Sequence, residues 1–199
     1  MLPLSYILKS DSRQGFSLIS FVLAAILFGL FSWPVSEGVA AASSPPEYEL
    51  KVAILYKLSR FVQWPKTEGG KPKRINFCVF RNDPFSDSMT ALQGQYVSQR
   101  EIKVRYLAND GTGLSRCQLV FIGKSLNDAV WPPLQPILSN STLTISDANS
   151  FAEKGGMIQI TRRNKRLGFV VNMKAVNQSG IHLASPFLQM ATLIHKERQ

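Results

Sequence analysis

The chain has few of the residues, and none of the short motifs, that common enzyme and metal sites need. Its 199 residues include only two cysteines and two histidines. There is no Gly-x-Ser-x-Gly elbow, no phosphate-binding P-loop and no His-Glu-x-x-His zinc motif. The cysteines and histidines do not have the spacing of a Cys2His2 zinc site. These absences predict a protein that is not an enzyme and that binds no metal and no cofactor.

The weaker catalytic patterns do not change this prediction. A Cys–His pair would need Cys78 or Cys117 beside His182, but both cysteines lie in apolar segments, which are poor settings for a thiolate. Asp83 and Asp87 have the positions of a helix cap and a first-turn charge rather than of an acid–base pair. The sequence therefore favours a binding or regulatory domain.

The N-terminus predicts export. Residues 16–31 contain no charge, Lys9 and Arg13 precede them, and small residues follow around Ala40 to Ala42. This is the layout of a secretory signal peptide, here residues 1–42, followed by one domain over residues 43–199. The alternative is an uncleaved membrane anchor, because sixteen apolar residues are only slightly too few for a span. No cysteine lies near the predicted cleavage site after the apolar run, which argues against a bacterial lipoprotein.

The net formal charge is +10. The predicted signal carries as many acidic as basic residues, so the remaining domain keeps the whole of that charge. For an exported domain, lipid headgroups, cell-wall polymers or an acidic protein face are better candidate partners than nucleic acid. The basic clusters at residues 71–74 and 162–166 are typical of solvated turns.

Cys78 and Cys117 in an exported chain of this size predict one disulfide. The alternative is two buried free thiols, and the distance between their Cα atoms decides between them. A bond would close a loop of about forty residues, for which chain-entropy models give roughly 3–4 kcal/mol.

Helix and strand periodicities alternate along the domain and predict an α/β fold, a single layered domain with a mixed β-sheet flanked by helices. The pattern predicts helices over residues 46–64, 84–93, 125–140 and 185–199, a helical turn over 148–156, and strands over 74–80, 100–108, 117–123 and 141–147, with a β-hairpin over 157–173. Asp83, Ser125, Asp147 and Ser185 are the predicted helix caps. The strand over 100–108 has one polar face, which is typical of a sheet edge.

Six segments, in order, resemble one known family. They are KVAILYKLSRFVQWP, FCVFRNDPFSDSMTAL, RCQLVFIGKS, LTISDANSFAEKGGMIQI, LGFVVNMKAV and GIHLASPFLQMATLI. Together they cover roughly residues 48–195, and on them the chain resembles the YfiR family of small periplasmic regulators.

The resemblance implies a function that composition does not. Such proteins bind the periplasmic part of an inner-membrane diguanylate cyclase and hold it inactive, which controls cyclic-di-GMP signalling and biofilm formation. It also implies an OmpA-like outer-membrane lipoprotein as a second partner, a homodimer, and Cys78 and Cys117 at the family's cysteine positions. Some members carry a second cysteine pair, which this chain lacks.

Four residues are predicted to contact a partner because each lies near the end of a predicted element and belongs to a residue type that can anchor an interface. They are Trp64, Phe151, Arg166 and His182. For Trp64 and Phe151 a position in the core is the competing interpretation. The alternative function is a periplasmic small-molecule binding module with a pocket near His182 and the last helix.

Overall fold

A computed structural model describes residues 47–65, 73–135, 138, 141–163 and 166–195. The predicted signal peptide lies outside these residues. Residues 44–199 form one compact unit. None of the helices in the described ranges is long and apolar enough to cross a membrane.

The structure is an α/β domain with one mixed eight-stranded sheet, as predicted. Its helices are α1 (Glu47–Ser59), α2 (Ser86–Met89), α3 (Asn127–Leu134), α4 (Met173–Gln178) and α5 (Ser185–Leu188). Its strands are β1 (Val62–Gln63), β2 (Arg74–Phe80), β3 (Tyr96–Val97), β4 (Arg100–Leu107), β5 (Leu119–Ile122), β6 (Leu143–Ser146), β7 (Ile158–Arg163), β8 (Arg166–Asn172), β9 (His182–Leu183) and β10 (Ala191–Ile194). Short 3-10 helices occupy Thr90–Leu92 and Leu114–Arg116.

The strand order across the large sheet is β10-β8-β7-β6-β5-β2-β4-β3. Strands β4, β2, β5, β6 and β7 are mutually parallel, while β3 and β8 run antiparallel to their neighbours β4 and β7. The apolar segment that forms β2 lies inside the sheet between β5 and β4, as its sequence predicts for a strand covered on both faces. A separate antiparallel pair joins β1 to β9.

Alternation along the strands divides the core between the two faces of the sheet. In β2, Phe77 and Val79 pack with Leu55 of α1, while Cys78 and Phe80 pack with Trp131 of α3 on the other face. Helices α4 and α5 lie on the α1 face through residues such as Val176 and Phe187, which are buried. Both layers lie within residues 44–199, so this unit has a complete core of its own.

The last predicted helix, over residues 185–199, is wrong beyond its first turn, and residues 196–199 lie outside the described residues. Ser185 and Pro186 do begin a helix, but its N-cap is Ala184 and not Ser185, and no side chain caps it. Helix α5 ends at Leu188, and Ala191–Ile194 forms β10, parallel to β8. A helix would have left the outer edge of β8 without backbone partners, whereas β10 pairs with it over four residues.

Three other sequence predictions need correction. Residues 148–156 form turns, with one helical hydrogen bond from the Lys154 amide to the Ser150 carbonyl and a left-handed Gly155 at the end as predicted. Asp147 does not cap them, since its carboxylate binds Lys51 and the Lys124 amide. Helix α3 has Leu126, not Ser125, at its N-cap, and no side chain caps it. Helix α1 ends at Ser59, so Trp64 lies after β1 and not at a helix end. The hairpin over 157–173 is confirmed as β7 and β8.

The polar face of β4 predicts a strand at the edge of the sheet. In the structure β4 is the second strand from one edge, and β3 lies outside it. Strand β3 pairs with it over only two residues. The short strands β1, β3 and β9 were not predicted, since two-residue strands carry no periodic signal.

Candidate functional site at the carboxyl end of the parallel strands

The connections between strands change direction between β2 and β5, which makes this position a topological switch point of the sheet. The chain runs from β2 to β4 on one side, then returns to β5 on the other side of β2. Open α/β sheets bind ligands at the carboxyl ends of their strands, at such a point. Asp83 follows β2 here, Gly123 and Lys124 follow β5, and Asp147 follows β6.

A buried lysine lies beside these strand ends. The Lys51 side chain is 6% exposed, and its Nζ donates hydrogen bonds to Asp147 Oδ2 at 2.7 Å and to Glu47. The ammonium group also lies 5.2 Å from the centre of the Tyr48 ring. Helix α1 places Lys51 here because its N-terminal end lies over the carboxyl end of the sheet.

The two charged partners decide the ionisation of Lys51. Burial alone lowers the pKa of Lys51, but hydrogen bonds and charge from Asp147 and Glu47 outweigh burial and leave that pKa raised. The hydrogen bond from Lys51 holds the pKa of Glu47 below its usual range. Lys51 is therefore a permanently charged group at neutral pH, and its charge is neutralised within the protein.

Asp83 joins the ends of β2 and β5. Its side chain is buried, Oδ1 accepts a hydrogen bond from the Phe85 amide at 2.9 Å, and Oδ2 accepts one from the Gly123 amide at 2.6 Å. Burial raises the pKa of Asp83, and the two backbone hydrogen bonds offset part of that rise. The predicted cap role is partly confirmed, because Asp83 binds an amide of the turn that leads into α2 but is not its N-cap residue.

Gly123 is required by this contact. A Cβ atom added to Gly123 would overlap both carboxylate oxygens of Asp83. We expect Gly123→Ala to lower the free energy of unfolding by about 2 kcal/mol, the typical cost of overpacking a well-packed site. Urea denaturation checks this. Gly94→Ala gives the cost of backbone strain alone, because Gly94 has a φ of 78° and the added atom meets no neighbour within 4 Å. Gly123 has no positive φ, so an unchanged stability in Gly123→Ala would show that the Asp83 side chain moves aside without cost.

A cavity of about 700 Å³ opens beside Lys51 and Asp147. Its charged lining residues are Glu47, Lys51, Lys124, Asp147, Glu153 and Arg162. Acidic and basic groups are equal in number, and Arg162 lies 3.8 Å from Glu47. No group of metal-ligating side chains occurs among the described residues. The cavity is suited to holding a small polar molecule by hydrogen bonds.

The cysteines form the predicted disulfide. The Cα atoms of Cys78 and Cys117 are 5.9 Å apart, and both residues are buried in the layer between the sheet and α3. No free thiol exists in the chain. A disulfide of this kind fits an exported protein.

The four predicted contact residues do not form one site. Trp64 and His182 come close together, since Gln63 pairs with His182 in the β1–β9 sheet. Phe151 is fully buried against Trp131, with ring centres 4.6 Å apart, and presents no surface to a partner. Arg166 is exposed at the start of β8, level with the carboxyl end of β7, whereas Trp64 lies at the amino end of β5, where its ring donates to the Gln118 carbonyl.

Arg166 lies beside an exposed apolar edge. Met190 and Leu193 are 61% and 41% exposed, and β10 pairs with β8 on one side only. A cavity of about 820 Å³ is lined by Arg166 together with Phe169, Met190 and Ile194. We call Arg166, Phe169, Met190, Leu193 and Ile194 the β10 edge. Large apolar side chains beside an arginine are typical of protein interfaces.

The family comparison matches residues 48–192 to a model described as YfiR/HmsC-like. No curated protein matches the chain in sequence. Two solved structures share 12% identity with it over 74% of this chain. One is a conserved domain protein from Vibrio cholerae, with a TM-score of 0.50 over 60% of its own length; the other is an ABC domain in complex with L-Trp from Streptococcus pneumonia, with a TM-score of 0.48 over 62%. The chain thus spans less than two thirds of either structure, and the first shows similarity of fold alone.

Proposed function

Because the chain belongs to the YfiR/HmsC-like family, we propose that it is a periplasmic regulator that binds and represses an inner-membrane diguanylate cyclase. Repression lowers cyclic-di-GMP in the cytoplasm and with it biofilm formation. The observation that carries the proposal is the family match over residues 48–192, nearly the whole compact unit.

The proposed repression depends on how the affinity of the regulator differs between the conformers of the cyclase. A regulator can hold a cyclase inactive only if it binds the inactive conformer more tightly than the active one. The β10 edge offers apolar side chains and the arginine that such an interface uses as anchors. An OmpA-like outer-membrane lipoprotein that competes for the regulator would release the cyclase. A homodimer is a further proposal of the same kind.

A binding experiment with matched variants tests this proposal. The oxidised unit, residues 44–199, is titrated with the periplasmic part of an inner-membrane diguanylate cyclase from the same organism. Leu193→Asp is expected to weaken binding about thirtyfold, the effect of losing an interface hot spot. Tyr96→Asp, at 63% exposure on the opposite edge of the sheet, is expected to leave the affinity unchanged.

Three results separate the alternatives. An unchanged affinity in Leu193→Asp would remove the β10 edge from the interface. A loss in a Trp64 or His182 variant instead would move the interface to that residue, whereas a loss in an Arg166 variant would keep part of the β10 edge in it. No binding by the oxidised wild-type unit would contradict repression by direct contact.

The second candidate function is a periplasmic small-molecule binding module. The cavity that favours it lies at the carboxyl ends of the strands, where ligands bind in sheets of this topology. This is not the predicted location near the last helix, and His182 does not line this cavity. Native mass spectrometry of the unit purified without denaturation would show a retained ligand. Lys124→Ala is expected to release it, while Lys57→Ala, at the far end of α1, is not.

A further inference from the structure

Charge is distributed unevenly between the two ends of the parallel strands. At the amino ends, exposed or half-buried basic residues come from the end of α1 and from the starts of β2, β4 and β5. They are Lys57, Arg60, Lys73, Arg74, Arg100 and Arg116, which we call the basic edge. Glu101 is the single acidic residue among the described residues at this end, and all other described acidic residues lie toward the carboxyl ends.

Backbone contacts hold the basic edge together across three neighbouring strands. The Glu101 amide donates to the Lys73 carbonyl at 3.0 Å, and the Asn76 side chain donates to the Arg116 carbonyl at 2.6 Å. Adjacent strands are about 4.8 Å apart, so β4, β2 and β5 spread these cations over about 10 Å. The charges therefore form a row and do not converge on one point.

Trp64 lies within this row. Its Nε1 donates to the Gln118 carbonyl at 2.9 Å, and the Arg100 guanidinium lies 5.0 Å from its ring centre. Burial lowers the pKa of Arg100, yet no carboxylate among the described residues pairs with it. Arginine stays charged in proteins, so Arg100 is a half-buried cation whose described neighbour is an aromatic ring.

A row of cations around a half-buried tryptophan fits a membrane surface with anionic headgroups better than it fits a single small anion. A single phosphate or carboxylate needs donors that converge on it, whereas a membrane surface presents many anionic headgroups in one plane. Tryptophan prefers the level of the headgroups, and each nearby lysine or arginine strengthens binding to anionic lipid about fivefold. We infer that the basic edge docks this domain on a bilayer surface that contains anionic phospholipid.

This docking would also orient the domain. With the basic edge on the bilayer, the strands of the sheet point away from the membrane and the cavity beside Lys51 faces outward. The β10 edge then faces sideways, parallel to the surface, where the membrane-proximal part of an integral protein lies. The inference does not depend on the proposed function, because lipid binding needs no cyclase.

Vesicle sedimentation tests the inference. The unit of residues 44–199 is used because it has its own core and lacks the apolar run at residues 16–31, which would itself bind lipid. We expect binding to vesicles of phosphatidylcholine with about one third phosphatidylglycerol, and much weaker binding to phosphatidylcholine alone. The salt concentration is about 0.1 M, where the Debye length is about 10 Å.

Two triple variants with the same change in charge supply the control. Arg60→Glu, Lys73→Glu and Arg116→Glu together are expected to weaken binding at least about a hundredfold, from three charges at about fivefold each. Arg81→Glu, Arg105→Glu and Lys154→Glu, also exposed but away from the basic edge, are expected to reduce it far less. Equal losses would show that net charge alone drives binding and would overturn the inference.

A second measurement reports on the surface itself. Residues 44–199 contain two tryptophans, Trp64 and the buried Trp131. We expect anionic vesicles to shift the tryptophan emission to the blue in the wild-type unit and not in Trp64→Phe. No shift in the wild-type unit, or binding to soluble polyglutamate as tight as to vesicles at equal anionic charge, would show that the edge recognises polyanions or acidic proteins and not a bilayer.

Discussion

Reduction of the Cys78–Cys117 disulfide is expected to lower the free energy of unfolding by about 4 kcal/mol. The bond joins residues 39 positions apart, and the chain-entropy model assigns about this amount to a loop of that length. Both sulfurs are buried between the sheet and α3, so reduction leaves two thiols in the same layer without adding solvent. For a domain of this size the melting temperature should fall by about 8–16 °C.

Guanidinium denaturation of the oxidised and reduced unit checks this value. Cys78→Ala with Cys117→Ala is the companion variant, and we expect it to lose somewhat more than reduction does because the buried sulfur atoms are also removed. A reduced domain as stable as the oxidised one would show that the unfolded chain is already compact around these two strands.

This stability change bears on any redox control of partner binding. Domains are stable by about 5–15 kcal/mol, so a loss of about 4 kcal/mol can bring a marginal domain close to unfolding. Weak binding by the reduced protein would then reflect lost structure and not a redox signal. Circular dichroism of the reduced unit at the temperature of the binding assay separates the two.

Lys51→Met is expected to lower the free energy of unfolding by about 3 kcal/mol. Removal of one member of a buried ion pair leaves the other charge without its partner, and this is the costly part. Asp147 would keep the Lys124 amide, 2.7 Å from Oδ1, but would lose the ammonium group. Lys57→Met on the exposed side of the same helix should stay within about 0.5 kcal/mol of wild type.

A double variant separates charge from packing. Lys51→Met with Asp147→Asn leaves no uncompensated charge, so we expect it to be at least about 1 kcal/mol more stable than Lys51→Met alone. A double variant that is less stable than the single one would show that Asp147 acts mainly through its hydrogen bond to the Lys124 amide.

The loss of unfolding free energy in Lys51→Met is expected to depend on pH in a definite direction. The pKa of Lys51 is raised by folding, so its contribution is complete below the unfolded value of about 10.4 and is lost as pH rises through the folded pKa. The pKa of Glu47 is lowered, so its share is present above about 4.3 and is lost as pH falls through its folded pKa. The difference between wild type and Lys51→Met should therefore be constant near neutrality and shrink at both extremes.

The elements that could be predicted from the sequence are those with a long, regular pattern of apolar residues. The buried segments of β2 and β5, the hairpin of β7 and β8 and most of α1 follow directly from their apolar pattern. The segment Ala191–Ile194 was assigned wrongly to a helix, because its apolar residues fit a helical stripe as well as a strand. Its pairing with β8 decides the structure, and that contact is not visible in local sequence.

The candidate site was harder to predict, because the local sequence around each of its residues indicates a role other than the one that the residue has in the folded domain. Asp83 and Asp147 were interpreted as helix caps, because aspartate is among the preferred N-cap residues. Their position after buried strands was the available signal, since the carboxyl ends of parallel strands meet at one end of a sheet. Lys51 gave no signal, because a lysine within an amphipathic helix is normally solvated.

The pairing of β1 with β9 also constrains the order in which the domain can fold. Val62 pairs with Leu183, so β1, which follows the first helix, has its backbone partner roughly 120 residues later in the chain. A chain that emerges N-terminus first can assemble the parallel strands early, but α1 and β1 gain this partner only when the last segments are free. Closure of the domain is thus a late, long-range step. Strand β10, which covers the outer edge of β8, also comes from the last segment, so until it pairs the growing sheet has an open edge that a second unfolded chain could occupy.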